Sequence, residues 1–177
     1  WEIIKILQAH EPVLLKDFIN LATPISGCWV DCTFGAGGYS RALLQNGASQ
    51  VLAIDKDSET KVFLKSIQSE YGKLIRFYNQ SFADMEKIND ITTRDDIGGI
   101  VLDLGVSSMH LDNSLRGFSF SKNGPLDMRM GNQPGPTASE IINFCSEATL
   151  ADLIFFYGQE RKARKIANRI VKERKKK

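Results

Sequence analysis

Between residues 27 and 105 the apolar positions alternate between two textures. Short, mostly apolar runs occur at 28–32 (C-W-V-D-C), 51–54 (V-L-A-I), 74–78 (L-I-R-F-Y) and 100–104 (I-V-L-D-L). Between them, at 39–45, 58–71 and 83–89, apolar residues recur every three or four positions. The first texture suits strands buried on both faces and the second suits helices. Their alternation predicts βαβ units and a doubly wound, parallel α/β sheet. A further short helix is predicted at 13–21, ahead of the first strand. Past Gly105 both periods lapse: 106–136 is rich in Gly, Ser, Asn and Pro, yet carries Phe118, Phe120, Met128 and Met130. A loop this long in a compact domain is usually functional, and its aromatic content argues against plain disorder. Helical patterns resume at 137–144, 149–157 and 160–177, the first opened by a Thr137/Glu140 capping box. The pattern divides the chain into an α/β domain at 1–136, which includes the 106–136 loop, and a helical segment at 137–177.

A length of 177 residues, 42% hydrophobic and 25% charged, is ordinary for one globular domain. A chain of this size buries roughly 70% of its unfolded surface and needs no disulfide or metal staple. The three cysteines, Cys28, Cys32 and Cys145, form no C-x-x-C pair, which points to reduced thiols. The two histidines, His10 and His110, are too few for a histidine-built metal centre. No apolar run nears the roughly 20 residues of a membrane span, and the start lacks the features of a signal peptide. A soluble, untargeted protein with no membrane partner is therefore expected. The net charge of +2 hides an asymmetry, because residues 160–177 hold ten Lys or Arg against two Glu. Ala163, Ile166, Ala167, Ile170 and Val171 fall on one helical face of that stretch. The cations thus line the outer side of an amphipathic helix, either as a solvated face or as a phosphate-contacting footprint.

The candidate chemistry sits where the first predicted strand runs into a helix. Thr33-Phe34-Gly35-Ala36-Gly37-Gly38-Tyr39-Ser40 is a glycine-rich turn, which lets a ligand approach the backbone and offers it helix N-terminal amides. A phosphate-binding P-loop needs a Lys before its Ser or Thr, and Gly38-Tyr39-Ser40 has none. A dinucleotide fingerprint finds Ser40 at its third glycine, and Asp31 at the strand end would repel a pyrophosphate. A carboxylate there suits a cofactor with an amino group, such as S-adenosylmethionine. Asp31-Cys32-Thr33-Phe34-Gly35-Ala36-Gly37 follows the D/E-x-G-x-G-x-G loop of class I methyltransferases, except that Thr33 stands at the first glycine. Asp55 ends the second strand, where an acid in such folds accepts hydrogen bonds from ribose hydroxyls. Asp103, near the carboxyl end of the fourth strand and flanked by apolar residues, is expected to face the cleft and accept a hydrogen bond from cofactor or substrate amine.

Longer stretches carry a resemblance. They are His10-Glu11-Pro12-Val13-Leu14-Leu15, Asp31 through Gly38, Asp103-Leu104-Gly105-Val106-Ser107-Ser108, Leu111-Asp112, Arg116-Gly117-Phe118-Ser119-Phe120 and Gly124-Pro125-Leu126-Asp127-Met128-Arg129-Met130, continued by Tyr157-Gly158, Arg161 and Ile166-Ala167. Together they resemble the ribosomal RNA small-subunit methyltransferase H family, also called MraW. The resemblance implies methylation of the exocyclic N4 of a cytidine in small-subunit (16S-type) ribosomal RNA. The implied cofactor is S-adenosyl-L-methionine, on a Rossmann-like class I sheet with a helical insertion. Cofactor contacts would fall on Gly37, Gly38, Tyr39, Asp55, Phe82, Asp103 and His110, with no metal. The family commonly has His at the position of Tyr39 and Gln at that of His110. Asp103 is the expected catalytic residue, orienting the target amine. The implied partner is the ribosomal RNA or the small ribosomal subunit, in a bacterial cytoplasm or an organellar matrix.

The family returns to its sheet after the insertion, whereas this sequence stops at Lys177. The final strands are therefore expected to be missing, with an open edge that a second copy can pair with to form a homodimer. In the long loop, Phe118 and Phe120 either stack on bases or anchor the loop, while Arg116, Lys122 and Arg129 are expected to hold phosphates. Three readings of function stand: an active cytidine methyltransferase, a catalytically inactive fragment retaining cofactor or RNA binding, and a nicotinamide-dependent oxidoreductase. Asp31 and Ser40 weigh against the last.

Overall fold

The computed structural model describes residues 12–131 and 134–176. His10 and Glu11, which open the first matched stretch, lie outside the described residues. The chain forms two compact units, one reaching to Ser108 and including Met130 and Gly131, the other made of Met109–Arg129 and the residues from Pro134 onward.

In the first unit, β1 (Cys28–Asp31), β2 (Gln50–Ile54), β3 (Ile75–Tyr78) and β4 (Ile97–Val101) form a four-stranded sheet in the order β3-β2-β1-β4. Every neighbouring pair is parallel. Its helices are α1 (Leu15–Ala22), α2 (Gly38–Gln45), α3 (Lys61–Tyr71) and α4 (Asn89–Thr92). Side chains alternate along each strand, so each strand feeds two cores. Trp29, Val51, Ala53 and Ile75 pack with Phe34, Tyr39, Leu43 and Ile67 on one face. Val30 and Ile54 pack with Cys32, Ile88, Phe82 and Met85 on the other. The sheet is doubly wound, as the alternation predicts.

The fourth strand departs from the sequence reading, running over Ile97–Val101 rather than 100–104. Gly98-Gly99 looks like a turn, but it lies inside the strand because Trp29 packs across it. A Cβ on Gly99 would stand 2.5 Å from Trp29 Cζ3, and one on Gly98 2.1 Å from the Ser26 carbonyl oxygen. Interior strand glycines often mark such close approach. The shift places Asp103 beyond the strand, in a segment exposed from Leu102 through Val106. β4 is an edge strand, with Ile100, Leu102 and Leu104 exposed along it and after it. The predicted helix at 58–71 is a short 3-10 turn (Ser58–Thr60) followed by α3, and that at 83–89 is a 3-10 segment (Phe82–Lys87) followed by α4.

The second unit holds most of α5 (Ser108–Asp112), then α6 (Ala138–Phe144), α7 (Glu147–Gly158) and α8 (Ala163–Arg174). The Thr137/Glu140 capping box forms as read from the sequence. Leu150, Ala151 and Ala167 bury a small core with Ile141, Ile154 and Ile170. The Arg174 guanidinium donates to the carbonyls of Ile142 (2.6 Å) and Cys145 (2.8 Å), so this cation of the basic helix serves the C-terminus of α6. The long loop joins these helices: the N–H groups of Ala138 and Ser139 donate to the carbonyls of Asp127 and Leu126, both at 2.8 Å. Residues 109–129 therefore cluster with the helical segment. Among the described residues no helix is long and apolar enough to cross a membrane, and no cluster of His, Cys, Asp and Glu is arranged to hold a metal ion.

Candidate active site

The carboxyl ends of the strands carry the candidate residues, the position where open α/β sheets bind ligands. β1 ends on Asp31, which is fully buried. Its Oδ1 accepts the Thr33 N–H at 3.1 Å and its Oδ2 the Ser40 hydroxyl at 2.7 Å. Burial pushes its pKa up to about 6 against the opposing pull of those hydrogen bonds, and the nearby Asp55 charge adds to the rise. Asp31 is thus a brace under the turn, not a carboxylate facing a cofactor amino group.

Above that brace the turn needs its glycines for different reasons. Gly35 and Gly37 have φ of 52° and 80°, the left-handed region. A Cβ on Gly37 would stand 2.3 Å from Ile67 Cδ1 and 2.9 Å from Phe34 Cε2, whereas at Gly35 the nearest atom is the Thr33 carbonyl oxygen at 3.8 Å. Gly37 is fixed by packing beneath the turn, and Gly35 keeps open space beside it. Gly37 also caps α2, and no side chain caps that helix. The first-turn amides of an uncapped helix suit an anionic group such as an amino-acid carboxylate.

Asp55 follows β2 and ties two loops together. Its Oδ2 accepts the Gly35 N–H at 2.8 Å and its Oδ1 the Asp57 N–H at 2.9 Å. A carboxylate oxygen accepts more than one hydrogen bond, so these contacts are compatible with ribose hydroxyls. Phe82 opens the 3-10 segment after β3, capped by Ser81, and is half-buried against Val30, Ile54 and Ile88.

Asp103, expected near the end of a strand at 100–104, lies two residues past β4 and is exposed. Its N–H donates to Thr33 Oγ1 at 2.8 Å. Burial, with the nearby charges of Asp103 and then Asp31, raises the Tyr39 phenol above its ordinary pKa. The Tyr39 ring is buried in the core, edge-on to Phe18 with centroids 5.3 Å apart. The structure therefore gathers Gly37, Gly38, Tyr39, Asp55 and Asp103 around the glycine turn, Asp55 bonded to Gly35 and Asp103 to Thr33. Thr33 and Ser40 belong to it as well. The sequence reading missed their roles, although Thr33 at a glycine position was a visible signal.

His110 falls in the second unit, buried with its ring 5.1 Å from that of Phe118. Phe118 there serves as a loop anchor, while Phe120 is fully exposed. The cations expected to hold phosphates have other tasks within this unit. Arg129 grips Asp127 through Nε–Oδ1 (2.8 Å) and Nη2–Oδ2 (2.7 Å), which holds the Asp127 carboxyl down to about 2. Arg116 donates to the Arg129 carbonyl at 3.1 Å, and Lys122 Nζ to that of Asp112 at 2.7 Å.

Comparison with known proteins narrows what such an arrangement serves. Three similar proteins each carry the name "Ribosomal RNA small subunit methyltransferase H". The one from Cereibacter sphaeroides (strain ATCC 17025 / ATH 2.4.3) is 46% identical over 167 residues, covering 94% of this chain and 49% of that protein. That from Ehrlichia canis (strain Jake) is 43% identical over 169 residues, covering 95% and 57%. That from Wolbachia sp. subsp. Drosophila simulans (strain wRi) is 45% identical over 171 residues, covering 96% and 58%. The chain thus spans roughly half the length of the curated relatives it matches. A sequence profile of the MraW methylase family matches residues 7–177, and with so much of its length accounted for, this chain belongs to the MraW methylase family.

Proposed function

We propose that this chain binds S-adenosylmethionine at the carboxyl edge of its sheet and methylates the exocyclic N4 of a cytidine in small-subunit ribosomal RNA. The observation that carries the reading is the hydrogen-bonded convergence of the glycine turn, Asp55 and Asp103 on that edge. Once bound, S-adenosylmethionine supplies a methyl group on a cationic sulfonium. The backbone of Gly37, Gly38 and Tyr39 at the start of α2 receives the amino-acid end. Asp55 accepts the ribose hydroxyls, and Phe82 offers an aromatic surface to the adenine. His110 joins this set through the family resemblance alone.

The target amine is a poor nucleophile because its lone pair is delocalised into the pyrimidine ring. Asp103, exposed beyond β4, accepts a hydrogen bond from that amine, turns its lone pair toward the methyl group and takes up proton charge as the new bond forms. A cytidine in a loop or a splayed strand reaches such a carboxylate at less cost than one stacked in a duplex. The partner in this reading is the ribosomal RNA or the small subunit, in a bacterial cytoplasm or an organellar matrix, and the exposed β4 edge offers a second copy a place to pair.

The test incubates the chain with methyl-labelled S-adenosylmethionine and unmodified small-subunit RNA or subunits, then resolves the nucleosides by mass spectrometry. Labelled N4-methylcytidine is expected, and Asp103→Ala is expected to slow its formation at least about a hundredfold. Label in another nucleoside would overturn the N4 assignment. Cofactor binding without transfer would favour the second reading, a form that holds cofactor or RNA without catalysis.

A further inference from the structure

Thr33 stands where the loop pattern has its first glycine, and nothing in the backbone asks for a glycine there. The left-handed residues of this turn are Gly35 and Gly37, and Thr33 is not among the positive-φ positions. Its side chain is half-buried and used. The Oγ1 accepts the N–H of Asp103, 70 residues further on, at 2.8 Å. The Thr33 N–H donates to Asp31 Oδ1 at 3.1 Å. Asp31 Oδ2 accepts the Ser40 hydroxyl at 2.7 Å. This run of hydrogen bonds from Asp103 through Thr33 to Ser40 rests on a fully buried anchor, Asp31.

Asp103 needs such a tie. It lies in the exposed segment that follows β4, with no ladder to hold it. The Thr33 hydroxyl fixes its backbone by accepting the Asp103 N–H. An isolated exposed hydrogen bond is weak, but one tied to buried groups restricts the position of what it holds. We propose that Thr33 is a positioning residue whose hydroxyl sets the Asp103 carboxylate against the glycine turn, so that cofactor site and acceptor keep one geometry. This rests on the reading of the sheet edge as an S-adenosylmethionine site.

The test compares the wild-type chain with Thr33→Val, which keeps the shape but removes the acceptor, and Thr33→Ser, which keeps the acceptor. Thr33→Ala repeats the loss without a β-branched side chain. Three quantities are read: hydrogen exchange at the Asp103 amide, the Kd for S-adenosylmethionine, and Tm. Thr33→Val and Thr33→Ala are expected to speed Asp103 exchange and to weaken the Kd, each about five- to tenfold, with Tm lowered by only about 2–4 °C. Thr33→Ser is expected to restore exchange and affinity together. Faster Asp103 exchange with an unchanged Kd would overturn the positioning role, as would a Kd loss that Thr33→Ser does not rescue. Wild-type chain that binds no S-adenosylmethionine would instead overturn the cofactor reading, and the inference with it.

Discussion

Replacing Gly37 with Ala is expected to destabilise the first unit by about 3 kcal/mol, whereas the same change at Gly35 is expected to cost about 1 kcal/mol and to act mainly on the ligand. Both residues have positive φ, so both substitutions carry backbone strain. They part in what the new methyl group meets. At Gly37 it would lie 2.3 Å from Ile67 Cδ1 and 2.9 Å from Phe34 Cε2, two buried side chains that give way only by disturbing the core. At Gly35 the nearest atom is 3.8 Å away, so the methyl enters open space on the loop that Asp55 holds through the Gly35 N–H. For a chain of this size the Gly37→Ala loss corresponds to a Tm lower by about 10 °C. Gly35→Ala should melt within a few degrees of wild type and bind S-adenosylmethionine at least about tenfold more weakly. Thermal melts with parallel binding titrations check both. Equal melting shifts, or unimpaired binding by Gly35→Ala, would contradict the division of labour between these glycines.

The second large effect is a pH dependence centred on Asp31. This carboxyl is fully buried and its pKa lies at about 6 in the fold, against an ordinary value of 3.8. Desolvation is the main cause, Asp55 adds to it, and the Ser40 and Thr33 hydrogen bonds oppose it. Between pH 4 and 6 the folded chain keeps a proton that the unfolded chain has released, so rising pH favours unfolding through this group. Its contribution to stability is therefore fullest below pH 4 and is lost as pH rises through 6. The full difference is worth about 3 kcal/mol. Asp31→Asn removes the titration and retains groups able to meet the Thr33 N–H and the Ser40 hydroxyl. In denaturant unfolding from pH 4 to 8, wild type should lose up to about 3 kcal/mol relative to Asp31→Asn, nearly all of it by pH 7. A wild-type-minus-variant difference that stays flat, or grows with pH, would show that Asp31 ionises at an ordinary pKa in the fold.

The strand that the sequence misplaced shows where local pattern stops informing. β1, β2 and β3 appear within one residue of the apolar runs; for β1 and β2 the burial on both faces is written in consecutive residues. β4 moved because its glycines belong to the packing of Trp29, a partner some 70 positions earlier, which no local period records. That displacement in turn put Asp103 in the open. The position of Asp31 was legible from the loop pattern, but its direction was not, because Ser40 and Thr33 turn it inward. Arg129 and Lys122 were picked out by charge alone, and local pattern did not record that they also hold Asp127 and the Asp112 carbonyl. The capping box of α6 was fully legible, since both its partners lie within one helical turn.

The central claim is that the glycine turn and Asp55 make the sheet edge an S-adenosylmethionine site. The most direct test is calorimetric titration of the 177-residue chain with S-adenosylmethionine, beside Asp55→Ala and a titration with NADH. Saturable binding of S-adenosylmethionine is expected, weakened at least about thirtyfold in Asp55→Ala as charge-assisted hydrogen bonds are lost, with no binding of NADH. A folded chain that binds no S-adenosylmethionine, or binds it equally well without the Asp55 carboxylate, would contradict the account.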